Sequence, residues 1–215
     1  MTEFRPKLIY VYDALCPVCY VFTSVVQKLV EHNGHRLGIE VISGGMVRDD
    51  QVREIGGEEE ARRLRESYRP LEEMSGVRFG QAFFENVAKQ RRRLDSDPGA
   101  RALVAFRRLA PDRSELEFAH ALLRANFWDG GDPSSDEFYR GLAAQLGLDP
   151  EAFVETMHTD EARDGALYDF ALARQLGADA FPRLYLQTRE DYLHLIAKGY
   201  SPFERVQAII DKILQ

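Results

Sequence analysis

The sequence predicts an α/β fold in which an N-terminal β-α-β unit and a C-terminal β-β-α unit are separated by a large helical insertion. Three observations carry the prediction. A short apolar run over 7–13 leads directly into an amphipathic stripe of helical period. Roughly 130 residues then show helical periodicity and caps but no strand. Strand character returns over 183–187 and 192–197, followed by one last amphipathic segment. The expected division is 1–46 for the first half of the α/β domain, 47–177 for the insertion and 178–215 for the second half.

Lys7-Leu8-Ile9-Tyr10-Val11-Tyr12-Asp13 is rich in β-branched and aromatic residues and too short for a helix, so it reads as a buried strand. Ala14-Leu15 lead to Cys16-Pro17-Val18-Cys19. From there Val18, Val21, Phe22, Val25, Val26, Leu29 and Val30 repeat at helical spacing. His32-Asn33-Gly34 should end this helix, Asn and Gly offering a left-handed residue. A second strand follows over 37–43. Two strands joined through a packed helix run parallel in a right-handed crossover. The Cys pair then lies at the carboxyl end of the first strand, where open α/β sheets place their chemistry.

After Gly44-Gly45 helices are expected over 58–69, 79–91 and 98–109, the last behind an Asp97 cap with Pro98 at its first position. Ser114-Glu115-Leu116-Glu117 matches a capping box for a helix reaching about Trp128. Asp129-Gly130-Gly131-Asp132-Pro133 reads as a loop, and helices follow over 135–146, 150–157 and 161–176, with Gly177 as stop. The strands over 183–187 and 192–197 read as a hairpin. Ser201-Pro202-Phe203-Glu204 supplies cap, first-turn proline and capping-box glutamate for a final helix, with Val206, Ile209 and Ile210 on its inner face.

Composition narrows the function classes. Of 215 residues, 45% are hydrophobic, enough for a substantial core. The net charge of −7 and pI near 5.3 oppose nucleic-acid binding. Lys89-Gln90-Arg91-Arg92-Arg93, the most basic cluster, reads as a helix end complementing the dipole. No apolar run approaches the roughly 18 residues of a membrane span. The start of the chain lacks the pattern of a secretory signal, so the expected setting is the cytoplasm. The residues do not speak to oligomeric state.

Two cysteines, three apart, in such a chain point to redox chemistry or metal rather than to a disulfide scaffold. At a helix start Cys16 would meet free backbone N–H groups and the positive end of the dipole, which favour the thiolate, the attacking species in disulfide exchange. Cys16 is the expected nucleophile. Cys19, one turn on, is the expected resolving thiol. Pro17 suits a first helical position, and Val18 is the variable residue of the pair.

The competing metal reading takes His32 and His35 as partners of the cysteines, near the spacing of a Cys₂His₂ zinc site. A continuous helix would carry His32 about 20 Å from Cys19, so no metal is expected. His120, His158 and His194 show no ligand spacing. Asp13 has two readings, a carboxyl of raised pKa that relays protons to Cys19 or a cap on the following turn. Phe127 and Trp128 belong to the insertion core or line a groove over the Cys pair.

In this order of elements the chain resembles the DsbA-like branch of the thioredoxin superfamily, and within it the FrnE-like or protein-disulfide-isomerase-like cytoplasmic proteins. The resemblance rests on Tyr12-Asp13 before Cys16-Pro17-Val18-Cys19-Tyr20, Gly44-Gly45, Asp95-Ser96-Asp97-Pro98 with Arg101-Ala102, Asn126-Phe127-Trp128 with Gly130 and Asp132, Leu176-Gly177 before Phe181-Pro182, and Gly199-Tyr200. It implies a thioredoxin-like fold with a helical insertion. It also implies a thiol-disulfide oxidoreductase or isomerase with no bound cofactor, acting on protein or small-molecule disulfides and exchanging with glutathione or a thioredoxin-type protein.

The resemblance further implies that Pro182 is a cis-proline facing the Cys pair, with Phe181 and Pro182 contributing, beside Pro17 and Val18, to substrate binding. Relatives usually carry Trp at the position of Val18 and Thr at that of Arg183. Arg183 reads as a surface strand arginine, with stabilisation of the Cys16 thiolate or attraction of an acidic substrate as the alternative. The related glutathione-dependent transferases of the kappa type usually have serine where this chain has Cys16. That activity, and a zinc-holding interaction module, are the other functions weighed.

Overall fold

The computed structural model describes residues 4–215. β1 (Lys7–Tyr12) passes through a short turn into α1 (Pro17–Asn33), and β2 (Gly38–Ser43) returns beside it. Leu8 lies opposite Ile39 and Tyr12 opposite Ser43 in a parallel ladder, as a helical crossover requires. Next come β3 (Arg53–Ile55), α2 (Glu58–Ser75), α3 (Gln81–Lys89) and β4 (Arg92–Leu94). Five helices follow: α4 (Asp97–Leu109), α5 (Glu115–Phe127), α6 (Asp136–Gln145), α7 (Pro150–Met157) and α8 (Asp160–Gln175). The chain closes with β5 (Arg183–Arg189), β6 (Tyr192–Lys198) and α9 (Phe203–Ile213).

The main sheet has the order β2-β1-β5-β6, with β5 antiparallel to both β1 and β6. The strand that ends before the Cys pair is therefore central. Its side chains alternate between two cores: Leu8 and Tyr10 join Phe22, Val26 and Leu29 of α1, while Ile9 and Val11 join Ala173 of α8. Burial on both faces explains why β1 reads as a continuous apolar run.

The insertion helices also cover the free edge of β2. Glu115 of α5 accepts from the Val41 N–H at 2.9 Å, and Asp169 of α8 accepts from the Ser43 N–H at 3.0 Å. Arg107 of α4 donates to the Val41 carbonyl and to both carboxylates, at 2.9 Å to Glu115 and 3.0 Å to Asp169. Side chains thus satisfy an edge that would otherwise offer a template for pairing.

Several sequence expectations are corrected. The insertion does contain a two-stranded antiparallel sheet, β3 with β4, whose strands of three residues are too short to show alternation. α2 runs through Pro70 instead of stopping before it; Pro70 is exposed, so the carbonyl it frees can turn to water. Gly34 is right-handed, with φ −58°. Asn33 there is fully buried and donates to the Leu29 carbonyl and to Gln207, each at 2.7 Å, so it serves as a hydrogen-bond node.

Three caps also differ. Ser96, not Asp97, precedes α4; Ser114 makes no side-chain cap, its expected partner Glu117 being paired with Arg113; and Pro202 rather than Ser201 precedes α9. Ser135 and Asp149 do cap, accepting from Phe138 N–H and from Glu151 and Ala152 N–H.

Candidate active site

Cys16 is the N-cap of α1, in extended backbone at φ −89° and ψ 112°, with Pro17 opening the helix. The Cys16 Sγ accepts the Cys19 N–H at 3.2 Å. One of the orphan donors of the helix start therefore points at sulfur, an arrangement that favours negative charge there. Both cysteines are free thiols. Cys16 is 2% exposed and lines a cleft of about 680 Å³, whereas Cys19 is 0% exposed. Burial, reinforced by the neighbouring Cys16 sulfur, pushes the Cys19 thiol well above its ordinary range, so it stays protonated at neutral pH.

The opposite wall comes from the second half of the fold. The Phe181–Pro182 peptide bond is cis, and the Phe181 carbonyl lies 3.6 Å from Cys16 Sγ, positioned to accept from the thiol. Phe181, Pro17 and Val18 all line the cleft, while Pro182 is buried behind it. Gly44 makes this closure possible, because the Phe181 ring occupies the space of a side chain at that position. Arg48, stacked over Phe170 at 4.4 Å, and Arg174 give the cleft its cationic groups; Asp49, Asp50 and Asp179 offset them.

The turn that presents Cys16 is held from beneath. Asp13 accepts from the Leu15 N–H at 2.9 Å through Oδ1 and from the Met46 N–H at 2.8 Å through Oδ2. It caps the turn and, because it is buried, also has a raised carboxyl pKa. Asn126 of α5 donates to the Ala14 carbonyl at 3.0 Å, and Arg92 of β4 donates to Asn126 Oδ1 at 2.7 Å. Tyr10, fully buried, donates to the Cys19 carbonyl at 3.2 Å. Tyr20 packs between Phe79 and Phe127, and burial pushes its hydroxyl up to about 12.

Arg92, Arg183 and Trp128 lie elsewhere than the sequence suggested, while His32 lies where a continuous helix would carry it. Arg92 is not a helix-end cation but a buried one, 4% exposed. Arg183 is no surface residue: it is 3% exposed, paired with Asp179, and its Nε has no protein partner. Of the two insertion aromatics, Phe127 is buried and Trp128 is 40% exposed under Arg124. His32 sits in the last turn of α1, edge-on to Phe203, at the far end of the helix from Cys19. Sequence reasoning misses the buried Arg92 that holds Asn126 and the space Gly44 leaves for the Phe181 ring. Asn126 has a signal in the Asn-Phe-Trp match and Gly44 in the Gly-Gly match; Arg92 has none.

Among the described residues no helix is long and apolar enough to cross a membrane. The DSBA-like thioredoxin domain family matches residues 7–210. No curated protein matches the sequence. Among solved structures, a candidate protein disulfide isomerase from Nitrosomonas europaea is similar at a TM-score of 0.83 and 24% identity, over 99% of this chain and 98% of that one. The cytosolic disulfide reductase DsbM from Pseudomonas aeruginosa follows at 0.76 and 22%, over 97% and 98%. Its structure with GSH gives 0.77 and 22%, over 97% and 100%.

Proposed function

The chain belongs to the DSBA-like thioredoxin domain family of thiol-disulfide oxidoreductases, and from that premise we propose that it is a cytoplasmic disulfide reductase in which Cys16 attacks and Cys19 resolves. The observation that carries this reading is the asymmetry of the pair: Cys16 Sγ accepts a helix-start N–H at 3.2 Å and lines a cleft, while Cys19 is closed off and held protonated. The Cys16 thiolate attacks one substrate sulfur, forming a mixed disulfide and releasing a thiolate. Cys19 then loses its proton, its sulfur attacks Cys16 Sγ, and the second substrate sulfur leaves. Two electrons pass to the substrate, and the pair becomes a disulfide.

Asp13 is the buried carboxyl whose charge acts on Cys19, and in this reading it takes the Cys19 proton. Phe181 and Pro182 form the turn against which an extended substrate lies, with Pro17 and Val18 on the other side. Reduction is favoured over oxidation or isomerisation by the similarity to a cytosolic disulfide reductase and by a compartment that keeps thiols reduced. Glutathione, present in the DsbM structure, is the proposed electron donor, with a thioredoxin-type protein as the other candidate. The chemistry requires no bound cofactor or metal.

The test is the equilibrium between dithiol and disulfide across a glutathione redox series, read by alkylation and mass. A reversible two-electron transition near about −270 mV is expected of a reductant. A transition at about −120 to −200 mV would instead assign an oxidant or isomerase. No reversible transition would overturn the exchange chemistry altogether.

A further inference from the structure

A second, more enclosed cavity of about 210 Å³ lies between the turn before α1 and the insertion. Leu15 and Pro17 line one side, Tyr68 and Phe127 contribute aromatic surface, and Arg92 lines it as well. Pro17 and Met46 line both this cavity and the cleft of Cys16, so the two spaces meet beside the nucleophile. Small-molecule pockets usually measure about 300–1,000 Å³. This one is sized for one arm of a ligand whose remainder extends into the wider cleft.

Its lining mixes apolar side chains with the carboxylates of Glu60 and Asp132 and the buried guanidinium of Arg92. Arg92 is 4% exposed, yet its bonding is incomplete. Nη2 donates to Asn126 Oδ1 and the Gly131 carbonyl, Nε is 3.8 Å from Asp132 Oδ1, and Nη1 has no protein partner. Of the other cations of the lining, Arg63 pairs with Glu60 at 2.6 Å and Arg93 with Asp95 at 3.2 Å, while Arg53 is exposed and donates to the Gln51 carbonyl at 3.3 Å. A buried cation short of partners is costly, and a carboxylate supplies the missing acceptor.

We propose that this cavity binds the carboxylate-bearing arm of a small disulfide, Arg92 recognising the carboxylate and the aromatic side chains holding its apolar body. The proposal rests on the exchange chemistry assigned to Cys16. The thiolate attacks the disulfide sulfur presented over Pro17 and one thiolate leaves; Cys19 closes the Cys16–Cys19 disulfide and the second leaves. The substrate gains two electrons and the protein loses two. The insertion thereby selects for acidic low-molecular-weight substrates.

Two readouts test it. In the first, benzoate and benzamide are titrated into the oxidised protein while the Leu64 methyl resonances, at the cavity wall, are followed. Benzoate should shift them saturably and benzamide should not. In the second, the dithiol protein reduces dithiodibenzoate or its dicarboxamide, each rate divided by that with free dithiothreitol. The wild type should prefer the carboxylate by about tenfold. Arg92→Met should bring that ratio near one, and Arg92→Lys should retain part of it.

Should Arg92→Met fail to fold, Leu64→Trp fills the cavity and should likewise abolish the preference. Unmoved methyls, a wild-type ratio near one, or a preference that survives Leu64→Trp overturns the proposal. If benzoate binds but neither disulfide is reduced, the exchange reading of Cys16 fails and the substrate role with it, while the carboxylate site itself stands.

Discussion

Gly44 and Phe181 share one space: a Cβ at Gly44 would lie 2.0 Å from Phe181 Cε1. The end of β2 therefore sets how closely the loop before β5 approaches Cys16. Gly44→Ala should push the Phe181 ring aside and move its carbonyl from the sulfur. Overpacking of this kind costs about 1–3 kcal/mol. A lowered melting temperature together with a slower attack on a model disulfide is expected, and unchanged kinetics would separate the ring from the chemistry.

Cys19→Ala should leave the first attack possible and remove resolution. The variant, mixed with oxidised glutathione, is expected to accumulate one glutathione per chain at Cys16, visible by intact mass and reversed by dithiothreitol. Cys16→Ala should show no adduct, since Cys19 is buried and held protonated.

Asp13 predicts a pH dependence of stability with a definite sign. Burial raises its carboxyl above the ordinary value of 3.8. Between these two values the folded chain binds a proton that the unfolded chain has lost, so this group's contribution to stability falls as pH rises, then levels off. Asp13→Asn removes that slope while weakening one of the two N–H contacts. The stability difference, variant minus wild type, should rise with pH across the window and flatten above it. Denaturant titrations over a pH series measure it, and a flat difference throughout would contradict the assignment.

Arg107 holds three elements to the edge of β2 through Glu115 and Asp169. Asp169 is only 3% exposed. Arg107→Met leaves it unpaired, and breaking such a pair typically costs about 3–5 kcal/mol. Chemical denaturation should show a loss of that order. Asp169→Asn in the same background should recover part of it by removing the stranded charge.

The elements legible in the sequence are those with a period. β1 announces itself because both its faces are buried, and α1 through its apolar stripe. The placing of the Cys pair at the start of α1 was legible because it depends on four adjacent residues. What escaped depends on partners distant in the chain. Glu115 looks like an ordinary first-turn acid until β2, 74 positions away, claims it. Arg92 looks like part of a solvated basic run, yet Asn126 draws it inward. Arg183 is itself buried among the buried residues that open β5, a placement that composition cannot reveal. β3 and β4 are too short for any pattern.

The position of Phe181 has a consequence for biosynthesis. It meets Cys16 across 165 residues of chain. On the ribosome the dithiol emerges 165 residues ahead of its facing wall. Until then a nascent chain carries two cysteines with neither the Phe181 carbonyl above the sulfur nor β5 beside β1. The reactive centre is thus assembled only when β5 docks beside β1, so that a product truncated before β5 retains the cysteines without the geometry that surrounds them.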